Sequence, residues 1–245
     1  MRDSVHPSLV VELAGVPGAG KSSLAGVLRC RLRTQHRPLT VGTSSTAPAV
    51  PRWARLARKG AMLGRNALAD PALAAKVGRG LAAAGGGAPV DVLARAVQWH
   101  VSQDLLRAAA SRPGTTLLDE GVVQALWSIG LRADVQPVLT ALAVRRTWRA
   151  PDVLVVLRVP PSVAAERLRT RAARHSRSQS LGAVALASEL AHGAALLDDL
   201  LDWWWNMVGL RCQVLDVDTG GAIDDVAGSL VPQVEHALTK ALGNH

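Results

Sequence analysis

Three observations predict an α/β fold built on a parallel sheet. The octapeptide GVPGAGKS at 15 to 22 fits the template G-x-x-x-x-G-K-[ST], with Gly15, Gly20, Lys21 and Ser22 in the specified places. Its flanks suit it, since Leu9, Val10, Val11 and Leu13 make a short apolar strand before it, and Leu24, Val27, Leu28 and Leu32 give helical spacing after it. Beyond that unit, apolar strand-like runs with few polar positions alternate with helical stretches, the pattern of a parallel sheet covered on both faces.

The elements follow in order. After the first strand and helix, Pro38 to Val41 can form a short second strand. The segment 43 to 90 is broken by Pro48, Pro51, Pro71, Pro89 and the run Gly85, Gly86, Gly87, and reads as mobile helices and loops on the acceptor side of the site, not as a separate domain. Val90 to Ser111 is helical, with Leu93, Val97, Val101 and Leu105 at four-residue steps, and Thr115 to Leu118 is the third strand. Residues 122 to 148 read as mostly helical. Val153 to Val159 is the fourth strand and Ser162 to His175 a helix. Residues 183 to 209 make a long helix or helix pair, Cys212 to Val217 the fifth strand, and Ile223 to about Leu242 the last helix. The whole chain, 1–245, reads as a single domain, a length that can bury a full core.

The glycine-rich loop carries the first chemical statement. Glycines let consecutive N–H groups turn inward on phosphate oxygens, and the helix that follows adds its positive end. Gly15, Val16, Pro17, Gly18, Ala19, Gly20, Lys21, Ser22 and Ser23 are therefore expected to cradle a nucleoside triphosphate. Lys21 reaches the β- and γ-phosphates, and Ser22 offers a hydroxyl to Mg²⁺, a cation that prefers oxygen ligands.

Composition removes several other classes. The chain holds no stretch of about 18 uncharged apolar residues, and Glu12 interrupts the apolar N-terminal run, so neither a membrane span nor a leader is expected, and the reading is cytoplasmic. Cys30 and Cys212 lack any ligand spacing and read as reduced core thiols, and the seven histidines are too scattered for a zinc site. The net charge of +9 is almost all arginine, since Lys21, Lys59, Lys76 and Lys240 are the only lysines. Phe and Tyr are absent and Ile occurs only at 129 and 223, a usage that reflects codon bias better than polyanion binding. Without Phe or Tyr, base-stacking platforms are missing too, and nucleic acid is disfavoured as a partner.

Three segments together resemble a known family. LVVELAGVPGAGKSSLAGVL at 9 to 28, PDVLVVLRVPPSVAAERLRTR at 151 to 171 and VLDVDTGGAIDDVAGSL at 214 to 230 are similar to the P-loop, the fourth strand with its arginine-bearing lid helix, and the adenine-bordering loop of P-loop nucleoside and nucleotide kinases, thymidylate kinase-like or deoxynucleoside kinase-like. The resemblance implies a P-loop NTPase three-layer sandwich. Its five-stranded parallel sheet would have the order 2-3-1-4-5, with helices on both faces and a helical lid at about 162–182. It also implies ATP and Mg²⁺ as cofactors.

Asp119 and Glu120 lie at the carboxyl end of the third strand, where a parallel sheet directs its ligands. Asp119 is expected to serve the metal or act as base, and Glu120 to act as base or contact the acceptor; the alternative is that one of them only caps the next helix. The resembled kinases usually carry an arginine at the second place. Glu120 would repel a nucleoside monophosphate dianion and favours a neutral or cationic alcohol. Arg167, Arg171 and Arg174 share one helical face with Arg177 just beyond, and the resemblance makes Arg167 and Arg171 the catalytic choices. Arg145, Arg146 and Arg149 read more readily as a solvated cluster than as an anion site. Trp127, Trp53 and Trp99 are candidates for stacking on an acceptor ring, with core packing the stronger reading for each. The run Trp203, Trp204, Trp205 faces too many directions to be one binding box and reads as helix packing against the sheet, with one indole a candidate for a homodimer contact.

The sequence therefore describes an ATP- and Mg²⁺-dependent kinase acting on a small-molecule hydroxyl. An antibiotic-modifying or other metabolite phosphotransferase and a regulatory ATPase working through a protein partner stand as alternatives, and ATP is not distinguished from GTP.

Overall fold

The first strand, β1 (Ser8–Gly15), is buried at every position but its first, which places it in the middle of a sheet with both faces covered. The computed structural model describes residues 8–33, 39–42, 60–61, 64–65, 67–84, 89–144, 148–170 and 181–243. Over these the chain runs β1, α1 (Lys21–Arg33), β2 (Leu39–Gly42), α2 (Pro71–Ala83), α3 (Pro89–Ala110), β3 (Gly114–Leu118), α4 (Val122–Gly130), α5 (Gln136–Val144), β4 (Val153–Arg158), α6 (Pro161–Thr170), α7 (Ala183–Val208), β5 (Gln213–Asp218) and α8 (Ile223–Gly243).

The strands lie in the order β2-β3-β1-β4-β5, and every neighbouring pair is parallel. Side chains are described for β3, β1, β4 and β5, while the four-residue β2 adds through its pairing to β3 at the edge. Strand β4 is buried along Val153–Leu157, whereas β5 at the opposite edge is mostly half-exposed. Helices α1 and α8 pack on each other and on the sheet; α3 packs on α4, α4 on α7, and α7 on α6. The core is one continuous apolar cluster running from β1 through all of these helices.

Two helical readings gain detail. The stretch 122 to 148 is mostly helical, as two helices: the first ends at Gly130, and α5 starts afresh because the Asp134 side chain accepts the Gln136 N–H at 2.9 Å, with Pro137 fitting the first turn. Within the segment 43 to 90, α2 is a regular helix. Asp70 caps it by accepting the Leu73 N–H at 2.9 Å, Pro71 opens it, and Leu73, Val77 and Leu81 are buried against its neighbours. The rest of that segment, including Trp53, and the lid residues 171–180 lie outside the described residues.

Of the side chains singled out in the sequence, Cys30 departs from its core reading, while Cys212, Trp99 and Trp127 keep theirs. Cys30 is exposed on α1; Cys212 is buried, and burial pushes its thiol up to about 12. Trp99 and Trp127 are core residues, and the Trp127 indole donates to the Gly193 carbonyl at 2.6 Å, so neither ring is presented to a ligand. Trp148 stacks on Trp203 with centroids 6.0 Å apart and tilts against Trp204 at 5.4 Å, while Trp205 is 55% exposed. Arg145 and Arg146 are not among the described residues, and Arg149 joins its main chain to the Gln103 amide. Among the described helices, none is long and apolar enough to cross a membrane.

Candidate active site

The phosphate loop begins where β1 ends. Gly15 pairs with Leu157 of β4, the Ala19 N–H closes a turn onto the Val16 carbonyl at 3.1 Å, and the Leu24 N–H bonds the Gly20 carbonyl at 2.9 Å to start α1. Gly18 has φ of +85°, and a Cβ there would stand 2.5 Å from the Ala164 carbonyl oxygen of α6, so backbone conformation and packing both require glycine. Gly20 shares the left-handed conformation at φ +91°. The loop is thus wedged between β4 and α6, with Ile223 of α8 beside Gly20. The Lys21 ammonium folds over it, donating to the Gly15 carbonyl at 2.6 Å and the Val16 carbonyl at 3.2 Å. Ser22 and Ser23 are exposed on the first turn of α1.

The acidic pair stands next to this loop in the fold. Strand β3 lies beside β1 with Leu118 opposite Glu12, so Asp119 and Glu120 leave the sheet at the same end as the phosphate loop. Asp119 is buried and Glu120 exposed. Neither caps α4. That helix starts after Gly121, which provides no side-chain cap, and its first three N–H groups go elsewhere.

They go to Glu12, which the sequence showed only as an interruption of an apolar run. Its carboxylate accepts the N–H of Val122 at 3.0 Å, of Val123 at 2.8 Å and of Gln124 at 3.3 Å. Glu12 is 0% exposed, and burial pushes its pKa up to about 7 although the three bonds oppose the rise. The Gln124 side chain returns to the loop, its Oε1 accepting the Gly15 N–H at 3.3 Å. A charged residue inside a strand as apolar as LVVELAG was the available signal, because such a residue needs partners.

On the far side of the loop, α6 presents Arg167. Its guanidinium donates to the carbonyls of Thr219 at 2.8 Å, Gly220 at 3.4 Å and Gly221 at 3.4 Å. Thr219 is itself held by the Arg158 carbonyl, through its N–H at 2.8 Å and its hydroxyl at 2.9 Å. Arg167 therefore braces the β5–α8 loop, while Arg171, Arg174 and Arg177 lie outside the described residues. Arg158 turns from the site to pair with Asp216 and Asp198.

As a donor set for Mg²⁺, the Ser22 hydroxyl and the Asp119 carboxylate are hard oxygen ligands on the two segments that flank the loop, which suits a cation that keeps several waters. Among the described residues no group of three or more His, Cys, Asp or Glu side chains forms a metal cage. The arrangement of main-chain amides, one lysine, one hydroxyl and a neighbouring carboxylate has the parts needed to hold and orient a triphosphate.

No family model matches the chain. Two thymidylate kinases of Xylella fastidiosa, from strains M12 and M23, are each 30% identical to it over 172 residues, a stretch covering 69% of this chain and 67% of theirs. Among solved structures, a deoxyadenosine kinase from M. mycoides with the products dCMP and a flexible dCDP bound superposes with a TM-score of 0.55 over 93% of this chain and 100% of that one, at 10% sequence identity. That likeness speaks for the fold, an α/β sandwich with a parallel sheet. The sequence relatives extend well beyond the glycine-rich loop, which many unrelated enzymes share, and so the chain is a phosphotransferase belonging to the family of P-loop nucleoside and nucleotide kinases, in its thymidylate kinase-like branch.

Proposed function

We propose that the chain transfers the γ-phosphoryl group of ATP to a hydroxyl of a nucleoside. The observation that supports this most directly is the acidic pair beside the phosphate loop, with Glu120 exposed at the carboxyl end of β3 where the acceptor would approach. A hydroxyl must lose a proton as it attacks, and a carboxylate within reach can take it. A phosphate acceptor needs no such base, and its dianion would be repelled by Glu120.

The amides from Val16 to Ser23 and the Lys21 ammonium hold the β- and γ-phosphates, which requires Lys21 to exchange its two loop carbonyls for phosphate oxygens. Ser22 and a water oriented by Asp119 would hold Mg²⁺, which neutralises charge on the bridging phosphates. Asp119 or Glu120 accepts the proton of the attacking hydroxyl. Arg167 fixes the loop that borders the nucleotide base, and by the resemblance to the lid arginines of these kinases Arg171 would supply positive charge to the transferred group. Fixed donors aimed at the developing charge, with the reactants in line, supply the rate.

A second reading has an observation of its own. The relatives in Xylella fastidiosa are thymidylate kinases, whose name points to a nucleoside monophosphate as acceptor. The test is incubation with magnesium and γ-labelled ATP in the presence of thymidine, deoxycytidine, deoxyadenosine or thymidine monophosphate. Label on a nucleoside, lost in Lys21→Ala, is the expected result. Label on thymidine monophosphate alone replaces the hydroxyl reading with the second, and label on none overturns both.

A further inference from the structure

A helix that needs its first N–H groups satisfied normally finds a Ser, Thr, Asp or Asn at its own N-cap. Helix α4 does not. The N-cap position is Gly121, and the acceptor is Glu12, 110 residues away from Val122 in the chain and on a different strand. Burying a carboxylate is a costly way to cap a helix. What it adds is a fixed link between β1, just before the phosphate loop, and the turn that carries Asp119 and Glu120.

The fit is close on both sides. A Cβ on Gly121 would lie 2.3 Å from Cδ and Oε2 of Glu12, so the carboxylate reaches the helix only because that position has no side chain. From the same helical turn, the Gln124 side chain accepts the N–H of Gly15, the first residue of the phosphate loop. Asp119 and Glu120 are therefore held from the β3 side by the ladder that sets Leu118 opposite Glu12, and from the α4 side by the three bonds that Glu12 accepts.

We infer that Glu12 is a positioning residue for phosphoryl transfer: by holding the main chain of residues 122–124, with Gly121 making room and Gln124 completing the tie to Gly15, it sets where Asp119 stands relative to the phosphate loop. The inference rests on the assignment of Asp119 to the magnesium side of the site. Its consequence is that the carboxylate governs the contribution of the metal to nucleotide binding more than the grip of the loop itself.

The experiment compares ATP affinity by titration calorimetry with Mg²⁺ and with EDTA, in wild type, Glu12→Gln, Asp119→Asn and the double variant. Binding in EDTA reports the loop and the fold; the gain on adding Mg²⁺ reports Asp119. Glu12→Gln should leave binding in EDTA within about threefold and cut the magnesium gain by about fivefold or more, Asp119→Asn should do the same, and the double variant should lose no more than either, because residues acting as one unit are not additive. Gly121→Ala, which displaces the same carboxylate without altering it, provides the second variant and should match Glu12→Gln. Equal losses with and without the metal, or losses that multiply in the double variant, show Glu12 to be structural only and overturn the inference. A full magnesium gain in Asp119→Asn instead sinks the assignment of Asp119 itself, and the inference with it.

Discussion

Replacing Glu12 by Gln should change how stability responds to pH, and the structure gives the size of the change. The buried carboxyl has a pKa of about 7, against an ordinary value of 4.5. Between those values the folded chain keeps a proton that the unfolded chain releases. Stability therefore falls as pH rises, at about 1.4 kcal/mol per pH unit across that window, because the folded state binds the extra proton. The contribution is fully present below pH 4.5 and is lost as pH rises through 7. Between pH 5 and pH 8 it amounts to about 2–3 kcal/mol. Glutamine has no proton to lose, so subtracting its stability curve from that of wild type removes every other titrating group shared by the two. The assay is urea unfolding at half-unit steps of pH, with the slope m checked for constancy. The difference should move by about 2–3 kcal/mol in favour of Glu12→Gln between pH 5 and pH 8. A flat difference, or one that favours wild type as pH rises, would refute the argument that burial outweighs the three N–H bonds at this carboxylate.

Three further substitutions test the frame around the site. Gly18→Ala combines a left-handed backbone with a Cβ placed 2.5 Å from the Ala164 carbonyl, and should cost about 2–4 kcal/mol in urea unfolding while weakening ATP binding; a wild-type unfolding midpoint would show that the loop has room to move. Gly193→Ala drives a methyl to within 2.7 Å of the Trp127 ring, so the overpacking cost of about 1–3 kcal/mol should exceed the gain in helix propensity of about 1 kcal/mol, with a change in tryptophan fluorescence. An unchanged spectrum and a raised melting temperature would contradict that packing. Arg167→Ala removes the donor shared by Thr219, Gly220 and Gly221 and should speed amide exchange in the β5–α8 loop and weaken ATP binding by about tenfold, since hydrogen bonds from a charged donor are among the stronger ones. Unchanged exchange in that loop would show the contacts to be incidental.

The parts of the site that are continuous in sequence were legible in it. A strand, a glycine loop and a helix from Leu9 to Leu32 announce themselves because their constraints are local: φ beyond zero at Gly18 and Gly20, a lysine at the helix start, and apolar residues at fixed periods. The position of Asp119 at a strand end predicts that it lies beside the loop, and the β1–β3 register accounts for that. The helical content of 122 to 148 is legible in the spacing of its apolar residues, but the position of the break between α4 and α5 is not, because the cap at Asp134 is a single side-chain bond. Trp99 and Trp127 take the core role, the stronger reading for each, but the fold alone selects it, since an indole that could stack on a ligand is indistinguishable in sequence from one that packs on Gly193.

From its letters alone the chain predicts a phosphate-holding loop and places acidic groups at the end of the neighbouring strand, because each of these depends on neighbours a few residues apart. What folding alone decides is how those pieces are joined. Glu12 meets α4, Gln124 meets Gly15, and Arg167 meets the carbonyls of 219–221 across 52 or more positions of chain. No periodicity records which distant N–H a buried carboxylate will find, since that follows from strand register and helix placement settled by the packing of the whole core.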